Sequence, residues 1–130
     1  VSGVKVIPQR KRWDCGVASL AMLLAVPYGD VSAATRRVVV GYRYGLTIRA
    51  MEAVAEELGK PLVRVYRKKD YLRNATGILG LLWEGSKDKG HWVVVKGGAI
   101  VEPDGGEVWD ALEYMKRHGA RPATLLVRED

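Results

Sequence analysis

Residues 13–26 read WDCGVASLAMLLAV, and residues 90–106 read GHWVVVKGGAIVEPDGG. In the first stretch Val17, Leu20, Ala21 and Leu24 recur at helical spacing. Ala18, Met22 and Leu23 widen that apolar stripe, which predicts a helix buried on nearly all sides. Asp14 stands where a carboxylate can accept from the free N–H groups of the first turn, and Pro27 and Gly29 end the pattern. In the second stretch, apolar runs flank Gly97-Gly98, a two-residue turn signal that predicts a hairpin of 91–96 with 99–102.

Working outward, Thr47 caps a second helix with Met51, Val54, Ala55 and Leu58 as its stripe; Gly59 stops it and Pro61 follows. Residues 31–40 carry a weaker helical pattern starting at Ser32. Residues 62–66, 77–83 and 124–127 read as strands, and 1–7 as a strand or an arm. Residues 84–90 read as a polar loop. A third helix is expected over 107–117 with Val108, Ala111, Leu112 and Met115 inward. Helices first and strands after predict an α+β fold with an antiparallel sheet. At 130 residues the whole chain, 1–130, is expected to form a single domain.

Composition narrows the function. Apolar residues are 48% and charged residues 28% of the chain, the balance of a globular protein. No apolar run approaches the ~18 residues of a membrane span, and the N-terminus lacks the zones of a signal peptide. One cysteine and two histidines allow no internal disulfide and argue against a metal centre, so no metal or cofactor is expected. A reducing, cytoplasmic setting is the default for such a chain. The net charge of +6 sits in short clusters: Arg10-Lys11-Arg12, Arg36-Arg37, Arg67-Lys68-Lys69 and Lys116-Arg117. The loop just before Cys15 suits an acidic or phosphate-bearing partner. Nucleic acid is not favoured, because no basic block reaches the ~5–8 residues of such patches and no aromatics interleave with the basic residues.

Few residues could perform covalent chemistry. Cys15, the sole thiol, follows the proposed cap in the first helical turn, where the positive end of the helix favours a thiolate. The alternative is a small buried core residue, a common fate of a free cysteine. Gly16 would leave room beside the sulfur for a substrate. A nucleophilic thiol needs a base. His118, at the end of a helix, reads as a dipole partner or surface residue, whereas His91 opens an apolar strand. A two-residue turn at 97–98 pairs Lys96 with Ala99, Val95 with Ile100 and Val94 with Val101. Extending that ladder sets His91 across from Asp104, within reach of a carboxylate that fixes the imidazole tautomer. Pro103, with no N–H, limits the extension, and Glu102 falls opposite Val93. The Cys15 N–H and the Gln9 amide are the candidate oxyanion donors.

These motifs resemble the papain-like cysteine peptidases, and most closely the compact bacterial peptidase C39-like group, the bacteriocin-leader peptidases. The shared pattern is Gln9 followed by Asp14-Cys15-Gly16, then a helix framed by Gly45-Leu46-Thr47 and Leu58-Gly59, then Gly90-His91-Trp92-Val93-Val94, then the turn Glu102-Pro103-Asp104-Gly105-Gly106. It covers residues 8–106. The resemblance implies a helical part carrying Cys15 and Gln9, a sheet part carrying His91 and the acid, and a cleft for an extended peptide. It implies a hydrolase in which Cys15 attacks, His91 moves the proton, Asp104 orients His91, and Gln9 with the Cys15 N–H holds the oxyanion. Substrates in this group often end in Gly-Gly or Gly-Ala at the cut. The group's orienting acid normally precedes the proline, where this chain has Glu102, so Glu102 is the alternative to Asp104. No G-x4-G-K-[ST] loop of an ATP-binding domain is present, so the chain reads as a stand-alone enzyme or an excised domain. Two other functions stay open: an idle module of this fold that binds a peptide or protein, and a basic nucleic-acid binder whose cysteine is merely buried.

Overall fold

Three apolar strands build the centre of the molecule, whose computed structural model describes residues 5–11, 13–40, 45–65, 71–83 and 90–129. Along the chain run α1 (Cys15–Leu24), α2 (Tyr28–Val38), α3 (Ile48–Glu57), β1 (Leu62–Val65), α4 (Tyr71–Asn74), β2 (Thr76–Trp83), β3 (Gly90–Lys96), β4 (Ala99–Val101), β5 (Val108–Asp110), α5 (Ala111–His118) and β6 (Ala120–Arg128). The strands form one antiparallel sheet in the order β1-β6-β2-β3-β4-β5.

Successive strand side chains point to opposite faces. Leu62, Ile78, Trp92 and Leu126 face α1 to α3, packing with Leu20, Leu24, Val31, Met51 and Val54. Leu79, Leu81, Val93, Val95, Ile100 and Leu125 line the other face under Ala111 and Tyr114 of α5. Because both faces are covered, β2 is buried from Gly77 to Leu81 without alternation. α1 is buried along almost its whole length, as its pattern predicts. Thr47 caps α3 by accepting from the Ala50 N–H at 3.1 Å. The 97–98 turn has positive φ at both glycines (55° and 86°), the geometry that joins two twisted strands in two residues. The predicted pairs Val94–Val101, Val95–Ile100 and Lys96–Ala99 form.

Three elements differ from the sequence reading. α2 starts at Tyr28 rather than Ser32, with Pro27 at its cap and Asp30 in the first turn, where a negative charge suits the helix dipole. The helix expected over 107–117 is split: residues 108–110 pair with β4, and α5 begins only at Ala111. Asp110 caps α5 by accepting from the Glu113 N–H at 3.0 Å; Ala111 and Tyr114 point inward, while Val108 and Leu112 are exposed. β6 starts at Ala120 and passes through Pro122 where its register with β2 shifts, a place where a missing N–H is tolerated. Of the two readings of the N-terminal segment, the arm holds over 5–9, joined to the body by the Gln9 N–H donating to Pro103 O at 2.8 Å. Residues 1–4, Arg12, Tyr66, the Arg67-Lys68-Lys69 cluster and loop positions 84–89 lie outside the described residues.

β2 and β6 meet closely at Gly77, where an added Cβ would lie 2.4 Å from Leu126 O. Backbone there cannot give way cheaply. Gly77→Ala is expected to lower stability by about 1–3 kcal/mol, read as a lower urea midpoint with an unchanged m-value.

Candidate active site

Cys15 is the first residue of α1, so its N–H belongs to the first-turn donors that the helix does not satisfy. The residue is 9% exposed. Asp14 does not cap the helix through its side chain; its carboxylate accepts instead from the Tyr28 hydroxyl. That bond ties the start of α1 to α2. Burial first, then the Asp14 hydrogen bond and charge, raises the Tyr28 pKa and keeps its proton in place. The Arg10 guanidinium lies 4.3 Å from the Tyr28 ring centroid and stacks this loop on the same anchor.

Gly16 has a different role from the one expected. A Cβ there would sit 3.0 Å from Met51 Sδ and 3.2 Å from both Leu46 Cδ1 and Trp92 Cδ1. The missing side chain is therefore space for helix packing on Trp92 rather than for a substrate. Trp92 is buried, donates its indole N–H to Leu46 O at 2.7 Å, and accepts at its carbonyl from Ser19 Oγ at 3.3 Å. These bonds fix α1 and the segment before α3 against β3 one residue from His91.

The β3–β4 ladder ends at Val94–Val101, so His91, Trp92 and Val93 pair with β2 alone. The chain after β4 then turns sharply: the Glu102 N–H donates to Glu107 O at 2.8 Å and the Gly106 N–H to Glu102 O at 2.9 Å. The ladder does not extend to set His91 across from Asp104. Asp104 is exposed at the turn, and the carboxylate on His91 is that of Glu102, with His91 Nε2 2.5 Å from Glu102 Oε1. Asp104 contributes its backbone N–H, which donates to the same oxygen at 3.0 Å. The second carboxylate oxygen, Oε2, accepts from the Tyr114 hydroxyl.

The His91 ring also hydrogen-bonds the Cys15 thiol, and with Nε2 on Glu102 the remaining ring nitrogen is Nδ1. Burial opposes a charge on His91. The hydrogen bonds and negative charges of Cys15 and Glu102 override it and raise its pKa to about 10. Burial pushes Glu102 the other way, but His91, Tyr114 and the Asp104 N–H together lower its pKa. The pair is thus imidazolium and carboxylate at neutral pH, between the Cys15 sulfur on one side and a phenol on the other.

Gln9 lies on the loop before α1, where its Nε2 donates to Lys11 O at 2.8 Å and its backbone is tied to Pro103. His118 does not join the thiol; it donates Nδ1–H to Tyr114 O at 3.0 Å and stacks on the Tyr114 ring at 4.2 Å. Trp92 fills the core, Trp13 is 38% exposed, and Trp83 stacks on His91 with centroids 6.1 Å apart. Sequence reasoning missed Tyr114. A capping pattern at Asp110-x-x-Glu113 was the signal that would have set the phase of α5 and turned Tyr114 inward. Among the described residues, no group of three or more His, Cys, Asp or Glu could hold a metal ion. Among them, too, no helix is long and apolar enough to cross a membrane.

The class of fold is therefore helices on an antiparallel sheet, with the one thiol against an imidazole at the sheet's margin. No family model matches the sequence, and no curated protein matches it. Solved structures share the fold. The chain is similar to the peptidase domain of Streptococcus ComA, a bi-functional ABC transporter involved in a quorum sensing pathway (TM-score 0.70, 17% identity, 96% of this chain and 97% of that one). It is similar to a double glycine motif protease from an AMS/PCAT transporter, solved in complex with the leader peptide (TM-score 0.69, 23% identity, 98% and 91%). It is also similar to the peptidase domain of Streptococcus mutans ComA (TM-score 0.65, 17% identity, 97% and 99%). The chain has the fold of these transporter peptidase domains over nearly its full length.

Proposed function

We propose that the chain is a cysteine peptidase. The observation that carries this reading is the His91 ring, bonded to the Cys15 thiol and the Glu102 carboxylate in the fold of peptidase domains. In the proposed reaction the Cys15 sulfur attacks a peptide carbonyl carbon, and the carbonyl π electrons move onto oxygen. The Cys15 N–H and the Gln9 amide stabilise that oxyanion. As the tetrahedral intermediate collapses, the C–N bond breaks and His91 gives its proton to the leaving amine. A thioester remains. His91 then takes a proton from water as the water attacks, and the thiol is released with the carboxylate product. Glu102 holds the ring in one tautomer and stabilises its positive charge, the orienting role in a nucleophile–base pair. Asp104 acts here only through its backbone.

A substrate of extended peptide is supported by the neighbour in complex with a leader peptide, and a double-glycine peptide is the first to try. The test is cleavage of peptides with a central Gly-Gly, alongside alkylation of Cys15 by iodoacetamide. Wild type is expected to cut and to alkylate fast, and Cys15→Ala to do neither. If the wild-type thiol reacts no faster than a free one and no peptide is cut, the chain is a peptide-binding module with a buried cysteine.

A further inference from the structure

Glu102, the carboxylate on His91, is longer than the aspartate, Asp104, expected in that role, and the extra length creates a positioning problem. A glutamate has one more rotatable bond than an aspartate, so its carboxylate is aimed less well by the backbone alone. Glu102 is 7% exposed, and both its oxygens need partners there. Oε1 receives His91 and the Asp104 N–H, while Oε2 receives the Tyr114 hydroxyl. Tyr114 is 1% exposed and cannot swing away. Its ring is stacked on His118 at 4.2 Å and edge-on to Trp109 at 5.8 Å, and His118 also bonds the Tyr114 carbonyl.

Building on the cysteine-peptidase reading, we propose that Tyr114 is a positioning residue that clamps the outer oxygen of Glu102 so that the inner one meets His91. The aromatic end of α5 is then an abutment for the acid rather than core filler. The titratable groups around this clamp are Cys15, His91 and Glu102 in line, Asp104 at the turn, and His118 behind the phenol.

Tyr114→Phe removes the hydroxyl and keeps the ring between His118 and Trp109. The readout is the rate of Cys15 alkylation by iodoacetamide at pH 7, in the wild-type and Glu102→Ala backgrounds, with thermal midpoints recorded for each protein. Tyr114→Phe is expected to slow alkylation about fivefold or more in the wild type. Added to Glu102→Ala, it is expected to change the rate by less than twofold, because no carboxylate remains to be held. An equal loss in both backgrounds, or less than twofold in the wild type, overturns the proposal. Slow alkylation of the wild type itself would instead remove the peptidase reading, so the two failures are distinct. Once a substrate is found, the clamp predicts a fall in kcat at unchanged KM.

Discussion

His91→Ala is expected to lower kcat/KM for a cleavable peptide by about 10³-fold, within the range that a positioned proton-transfer group supplies. The loss has two parts. The variant has no imidazolium to hold a thiolate in place, and it has no proton to deliver to the leaving amine. The pH profile separates this from a packing defect. His91 carries its proton up to a pKa of about 10, against the pull of burial, because Cys15 and Glu102 bond to it and bear negative charge. Wild-type activity is therefore expected to fall as pH rises through about 10, when the ring can no longer protonate the amine. The alanine variant should lack that limb. Activity within tenfold of wild type would mean that the thiol works without His91.

The second large effect divides the two candidate acids. Glu102→Gln is expected to cost about 10²-fold or more in kcat, as neutral replacements of an orienting carboxylate do. It should also move the high-pH limb downward from about 10, because the hydrogen bond and charge that raise the His91 pKa are weakened. Asp104→Asn should change kcat/KM by less than twofold. Its side chain is exposed, and the group it gives the site is a backbone N–H that asparagine retains. The reverse pattern would return the orienting role to Asp104. Steady-state kinetics of both variants over pH 5 to about 11, with thermal midpoints as a control, decides between them.

The helix of Cys15, the hairpin register at 97–98 and the Thr47 cap were legible because each is a local rule. Helical period, paired glycines with positive φ and a hydroxyl cap need no tertiary information. Which carboxylate meets His91 was not legible by counting. Turn rules hold only while strands stay paired, and β4 leaves β3 after Val101, just before the residue without an N–H, Pro103. Glu102 then folds back by its own length, which no ladder count contains. The resemblance of the turn to a family pattern pointed to Glu102 for a different reason, its place before the proline. The 107–117 segment failed because Val108, Ala111, Leu112 and Met115 fit a helical stripe, yet its first residues complete a sheet edge. Pro122 hid the early part of β6, since a proline in a strand is tolerated only where pairing is already irregular, as it is at the shift beside Gly80.

The bond from the Gln9 N–H to the Pro103 carbonyl joins the loop before the thiol helix to the turn that carries the acid. Cys15 is synthesised well before Glu102 and Tyr114, so the later segment must dock on the earlier helix before His91 and Glu102 can stand beside the thiol. Until that later segment docks and the Gln9–Pro103 clasp closes, Cys15 has neither His91 nor Glu102 near it. On the peptidase reading proposed above, completion of the fold is the step that brings the thiol its base.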